Sequence, residues 1–148
     1  MVGKSSLSYS FINYNSPENH DPTIEDKYKV QQVINNVSCE IGKIIIICIE
    51  ILDTAGQDDY QNLIDGWINF GDGFLLVFAL NDRESWDFVV QRRERVLRMK
   101  KGENPPIVIV GNKKDLEKDR VFKYEEILKF TQEWGCKYIE TSATVKYI

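Results

Sequence analysis

The sequence is poor in the residues that staple or break a fold. Its 148 residues include three cysteines, four prolines and one histidine. Cys39, Cys48 and Cys136 are widely spaced and make no C-x-x-C pair, so neither a disulfide framework nor a thiolate zinc site is expected, and reduced thiols in a cytosolic protein are the default. Long apolar runs are also missing. The longest, Phe74 to Leu80, is seven residues, and Ile44 to Ile49 is six before Glu50 interrupts it, against the roughly 20 needed to cross a bilayer. There is no excess of positive charge either: 19 basic and 23 acidic side chains give a net charge of −4, which argues against bulk attraction to nucleic acid. No targeting stretch and no repeat are apparent, and without a signal peptide the sequon Asn36-Val37-Ser38 is not expected to carry glycan. What remains is 43% apolar residues in a chain long enough for one core, so residues 1–148 are expected to form a single domain.

The apolar pattern alternates between two periods. Ser6 to Tyr14 suits a short amphipathic helix, followed by the loop-forming cluster Asn15 to Asn19. Lys27 to Val37 and Glu40 to Leu52 are rich in β-branched residues and read as a hairpin. A helix is expected around Tyr60 to Phe70 and a buried strand over Gly73 to Leu80. Trp86, Val89, Val90, Arg93, Val96 and Leu97 form the stripe of a further helix, with the aliphatic stem of Arg93 filling one place in it, and Pro105 and Pro106 end it. Ile107 to Gly111 reads as a strand, Tyr124 to Trp134 as a helix and Lys137 to Glu140 as a last short strand. Strands alternating with helices predict an α/β fold whose mainly parallel sheet is covered by helices on both faces, with ligands outside the carboxyl ends of the strands.

The chemistry sits in the turns. Val2-Gly3-Lys4-Ser5-Ser6 matches the second half of a phosphate-binding loop. Gly3 lets the backbone approach a phosphate, amides follow at a helix N-terminus, Lys4 reaches phosphate oxygens and the Ser5 hydroxyl can ligate Mg²⁺. Taken alone, Gly3-Lys4-Ser5 reads more readily as a helix-capping serine after a flexible terminus. Asp53-Thr54-Ala55-Gly56-Gln57 puts a carboxylate at a strand's carboxyl end, a position suited to Mg²⁺. Asn112-Lys113-Lys114-Asp115 follows another strand, and an Asp there can accept hydrogen bonds from both the N1–H and the exocyclic amine of guanine, a donor pair adenine lacks; in isolation it also reads as a turn with an Asx bond. Thr141-Ser142-Ala143 says little by itself.

Order decides between these readings, because the motifs run phosphate, metal, base, each after a strand or at a helix start. The set resembles the Ras-like small GTPases, a P-loop NTPase family. Asp21 to Tyr28, Asp53 to Tyr60, Gly73 to Phe78 and Gly111 to Leu116 place the resemblance in the Ras subfamily rather than Rab, Rho or Arf. The resemblance implies a GTP-binding switch that hydrolyses GTP to GDP and phosphate with Mg²⁺. Ser5 and Thr23 would ligate the metal, with Asp53 reaching it through water. Gly56 would sense the γ-phosphate, Gln57 would orient the attacking water, and Lys4 would supply charge, following the phosphoryl-transfer template for which Ras is the reference case. Val2, Gly3 and Ser6 would complete the phosphate cradle, and Asn112, Lys113, Asp115, Ser142 and Ala143 would hold the guanine.

The same resemblance implies an exchange factor, a GAP that supplies an arginine, and effectors whose Ras-binding domains meet Asp21 to Tyr28. A monomer is expected, in the cytoplasm and, by family habit, at the cytoplasmic face of the plasma membrane, with no lipidation motif in this chain. Against the family pattern, the first strand, the first half of the phosphate loop and the last helix are lacking, which predicts a break in the middle of the sheet. Ser16, His20 and Thr144 replace a Phe, a Tyr and a Lys, and the hairpin is extended. A rival reading is therefore a pseudo-GTPase module that docks effectors or regulators while binding little or no nucleotide. An ATP-using enzyme is disfavoured by Asp115. The basic run Arg92 to Lys101 reads as a solvated helix face, His20 as a solvated loop residue, and Trp67, Trp86 and Trp134 as packing.

Overall fold

The computed structural model describes the backbone of residues 2–13, 25–35, 44–54 and 61–145, and the side chains of residues 2–8, 10 and 64–145. Helix α1 (Lys4–Asn13) precedes strands β1 (Glu25–Asn35) and β2 (Ile44–Thr54). Then follow α2 (Gln61–Phe70), β3 (Phe74–Ala79), α3 (Arg83–Met99), β4 (Ile107–Asn112), a 3-10 turn (Glu117–Asp119), α4 (Tyr124–Glu133) and β5 (Lys137–Glu140). The expected alternation of strands and helices holds throughout the described residues, and the chain has the α/β organisation of a P-loop NTPase.

Strands β1 and β2 form the expected hairpin pair, antiparallel from Glu25 opposite Thr54 to Asn35 opposite Ile44. Strands β3, β4 and β5 form a parallel sheet in that order. Among the described residues the two sheets share no ladder. Parallel neighbours require crossovers, and α3 and α4 supply them. Helix α3 lies against β3, α4 against β5 and α1 against β2.

The core forms where the helical and strand periods meet. Phe78, Leu80, Ile109 and Ile127 are fully buried, with Trp86, Val89 and Val96 of α3 and Ile64 and Ile68 of α2 in the same cluster. Phe78 packs edge-on against Trp86 at 5.0 Å and Phe122 at 5.6 Å, while Trp86 stacks on Trp134 at 5.5 Å, geometries that aromatic quadrupoles favour. The reading of the tryptophans as packing residues is met, with Trp86 buried and Trp67 and Trp134 at the margin of the core. Arg93 does more than fill a stripe with its stem. Its guanidinium lies 4.6 Å from the Trp134 ring and donates to the Trp134 carbonyl at 3.3 Å. Arg95 pairs with Asp65, and Lys100 pairs with Glu103. The basic run is therefore partly tied into the fold rather than purely solvated.

Helix α3 begins at Asp82, whose carboxylate accepts from the Ser85 amide at 3.2 Å. The Ser85 hydroxyl in turn accepts from the Ala79 amide and donates to the Asp82 carbonyl, so the end of β3 is tied to the start of α3. The loops that follow β4 and β5 emerge side by side at the carboxyl ends of the parallel strands, the edge where ligands bind in such sheets. Among the described residues, no helix is long and apolar enough to cross a membrane.

Candidate functional site

Helix α1 starts immediately after Gly3, whose φ is +84°. That conformation is one that glycine adopts without strain. A methyl group here would stand 2.6 Å from the Asn112 amide nitrogen. The glycine is thus needed twice, for its dihedral angle and for the close approach of β4's last residue. Its carbonyl accepts from the Leu7 amide at 3.0 Å, which opens α1 with the positive end of the helix dipole at this turn, a setting suited to an anion.

Asn112 is 2% exposed and joins two parts of the chain far apart in sequence. Its amide donates to the Val2 carbonyl at 2.9 Å, and its side-chain oxygen accepts from the Thr141 hydroxyl at 3.2 Å. The Thr141 backbone closes the same connection. Its amide donates to the Gly111 carbonyl, and its carbonyl accepts from Lys114. Lys113 has a φ of +65°, a left-handed turn that lets the chain reverse after β4 and carry Asp115 back towards the loop after β5. There Asp115 accepts from the Ser142 hydroxyl, which lowers the Asp115 pKa, so the carboxylate is ionised at neutral pH. Ser142 also accepts from the amides of Thr144 and Val145, and it shares a hydroxyl contact of 2.9 Å with Thr144.

These groups line one cavity of about 240 Å³, bounded by Gly3 and Ser6 on one side and by Asn112, Lys113, Asp115, Leu116, Ala143 and Thr144 on the other. The Ser10 hydroxyl of α1 donates to the Ala143 carbonyl at 3.5 Å. The structure therefore brings together the segments 2–6, 112–115 and 142–143 that sequence reading named separately. Ser5 is buried at the start of α1. The Asp53 backbone pairs with Asp26 near the end of β2, while its side chain, like Thr23, Gly56 and Gln57 as a whole, lies outside the described residues. Ser16 and His20 do as well. A larger depression of about 560 Å³, lined by Glu117 and residues 120–125, contains none of the site's named residues.

Leu116 lines the cavity, and Thr141 and Ser10 brace its walls, yet sequence reading gave none of the three a site role. A threonine before Ser142 and a serine two turns into a helix carry no local signal of their partners. Among the described residues no cluster of His, Cys, Asp or Glu is arranged to hold a metal. A hard cation held by a hydroxyl, one or two carboxylates and phosphate oxygens needs no such cluster, and Ser5, buried two residues after the Gly3 turn, carries a hydroxyl of that kind.

Similarity to known proteins agrees with this geometry. Residues 1–147 match the model of the Ras family. The chain is 40% identical over 146 residues to Protein ras-1 of Neurospora crassa, 36% over 146 residues to GTP-binding protein Rit1 of Mus musculus, and 39% over 146 residues to Ras-related protein Ral-B of Rattus norvegicus. These alignments take in 98 to 99% of this chain but 65%, 63% and 67% of the three relatives, so the chain spans about two thirds of their length. With the phosphate-loop turn, the Asn112 bridge and Asp115 around one cavity, these likenesses show that the chain belongs to the Ras family.

Proposed function

We propose that this protein is a GTP-binding switch, a single G domain that hydrolyses GTP to GDP and phosphate in Ras-type signal transduction. The observation that carries this reading is the Asn112 bridge. Its bond to the Val2 carbonyl ties the phosphate-loop turn to the strand end from which Asp115 projects, so one cavity has a phosphate end and a base end. Asp115 accepts from the two donors of guanine, and Asn112 and Lys113 frame the base with the backbone of Ser142 and Ala143. Val2, Gly3, Ser5 and Ser6 surround the phosphates with amides and hydroxyls, and Lys4 neutralises their charge.

Ser5 and Thr23 would hold Mg²⁺, with Asp53 reaching it through water, and the bound ion would supply charge stabilisation for the phosphate oxygens. Gln57 orients water, and Thr23 and Gly56 register whether the terminal phosphate is present. In-line transfer through a loose transition state needs placed positive charge more than a strong base. A GAP arginine then accelerates turnover, exchange factors reload the site, and effectors read the segment Asp21 to Tyr28. The family places such switches in the cytoplasm and at the cytoplasmic face of the plasma membrane.

One observation favours the rival docking module. Thr144, which walls the cavity, turns its hydroxyl to Ser142 and has no long stem to lie along a base. Titration of the purified chain with a fluorescent GDP analogue and Mg²⁺ separates the two readings. The switch predicts micromolar or tighter binding that Asp115→Ala weakens about a hundredfold, because the two donors of the base lose a charged partner. A folded chain that ignores GDP leaves the docking module.

A further inference from the structure

Arg120 and Glu140 stand outside the cavity, yet they join the two loops that build its base end. Glu140 is the last residue of β5, directly before Thr141 and Ser142. Arg120 follows the 3-10 turn that leads away from Asp115. The Glu140 side chain is 6% exposed and that of Arg120 14%. The guanidinium grips the carboxylate with both terminal nitrogens, one of them 3.1 Å from Oε2. The Arg120 Nε donates to the Phe122 carbonyl, which fixes the plane of the fork. Tyr138, two residues before Glu140 on the same strand face, donates its hydroxyl to Oε1 at 2.8 Å. A bidentate pair of this kind sets orientation as well as distance.

The segment from Asp115 to Arg120 is thus fastened to the end of β5 at both ends, by Ser142 on Asp115 and by Glu140 on Arg120. The Val121 amide, bonded to the Leu80 carbonyl at 2.9 Å, holds the far end against β3. With Arg120 released, the Ser142 hydroxyl and the Lys114–Thr141 backbone bond would be left to keep Asp115 in register with the Ser142 and Ala143 backbone. We infer that the part-buried Arg120–Glu140 pair, braced by Tyr138, positions Asp115 for guanine and thereby governs how long the nucleotide stays bound and how well guanine is distinguished from other purines. This inference rests on the guanine-nucleotide reading above and adds positioning residues to it; neither side chain touches the ligand.

The test uses the full chain, loaded with a fluorescent GDP analogue and chased with GDP or with IDP, whose hypoxanthine base lacks the exocyclic amine. Glu140→Gln keeps the volume and removes the charge, so dissociation should quicken about tenfold, and the preference for GDP over IDP should narrow by about threefold as Asp115 loses its aim. Arg120→Lys keeps a cation without the fork and should shift both quantities in the same direction by less, which holds the test open if Glu140→Gln does not fold. Variants that melt earlier but retain the parent's GDP to IDP ratio would show a purely structural pair and overturn the inference. A folded parent chain that binds neither nucleotide overturns the switch reading itself, whereas binding lost in Asp115→Ala with an unchanged ratio in both clamp variants overturns only the clamp.

Discussion

Gly3 is the residue at which the sequence allows least change. Any side chain there meets the Asn112 amide at 2.6 Å and holds a φ of +84° that L-residues avoid. Gly3→Ala should lower stability by about 1–3 kcal/mol from backbone strain, read from urea denaturation, and should weaken the fluorescent GDP analogue by at least about tenfold as Asn112 is pushed off the Val2 carbonyl. Gly3, Lys4 and Ser5 could be picked out from sequence because the turn demands a glycine and the chemistry demands an amine and a hydroxyl in succession. Arg120 could not. It ends an ordinary charged stretch, Glu117-Lys118-Asp119-Arg120, and the partner that makes it different is Glu140, which only the fold brings near. Thr141 is similar: its neighbours drew attention, but its bond to Asn112 depends on β4 and β5 lying side by side.

Among the elements, helices with strong periodicity and clear stops were the most readable. Helix α3 has Trp86, Val89 and Val96 on its buried face and two prolines beyond its end. Its first residue is set by Asp82, the N-cap, so Asp82→Ala should destabilise the protein by about 1 kcal/mol in urea titration without moving nucleotide affinity, since the cap satisfies an otherwise orphaned helix amide. Helix α4 starts at Lys123 with no side-chain cap and depends on Ile127 and Thr131, both fully buried, to hold it. Helix α1 begins at Lys4, two residues before its apolar pattern does, because the Gly3 turn rather than amphipathicity sets its start. The 3-10 turn at Glu117–Asp119 was not foreseen, since three residues contain no period to detect.

For the molecule as a whole, acid should act through the same loops that form the site. Burial alone would raise the Glu140 pKa, but the hydrogen bonds from Arg120 and Tyr138 outweigh it and leave the carboxyl below its ordinary 4.5. The Ser142 hydroxyl is the main cause that takes Asp115 below 3.8. Both groups are therefore more acidic folded than unfolded. Their contribution is complete above those ordinary values and is lost as pH falls through the lower folded ones. The melting midpoint should fall on acidification below about pH 4.5, and Glu140→Gln should flatten that fall; an equal slope in parent and variant would show that other carboxylates govern acid sensitivity.

Periodicity and turn chemistry are local properties, so the sequence by itself determined the alternation of strands and helices, the hairpin of β1 and β2, and the residue types available after each strand. Strand order and register are not local. They alone decided that Asn112 reaches Val2 across 110 positions, that Arg120 is clasped by Glu140, and that three separate segments face one cavity. The physical reason is that a side-chain hydrogen bond requires atoms within about 3 Å and aligned, and for residues far apart in the chain only the packed parallel sheet supplies that alignment.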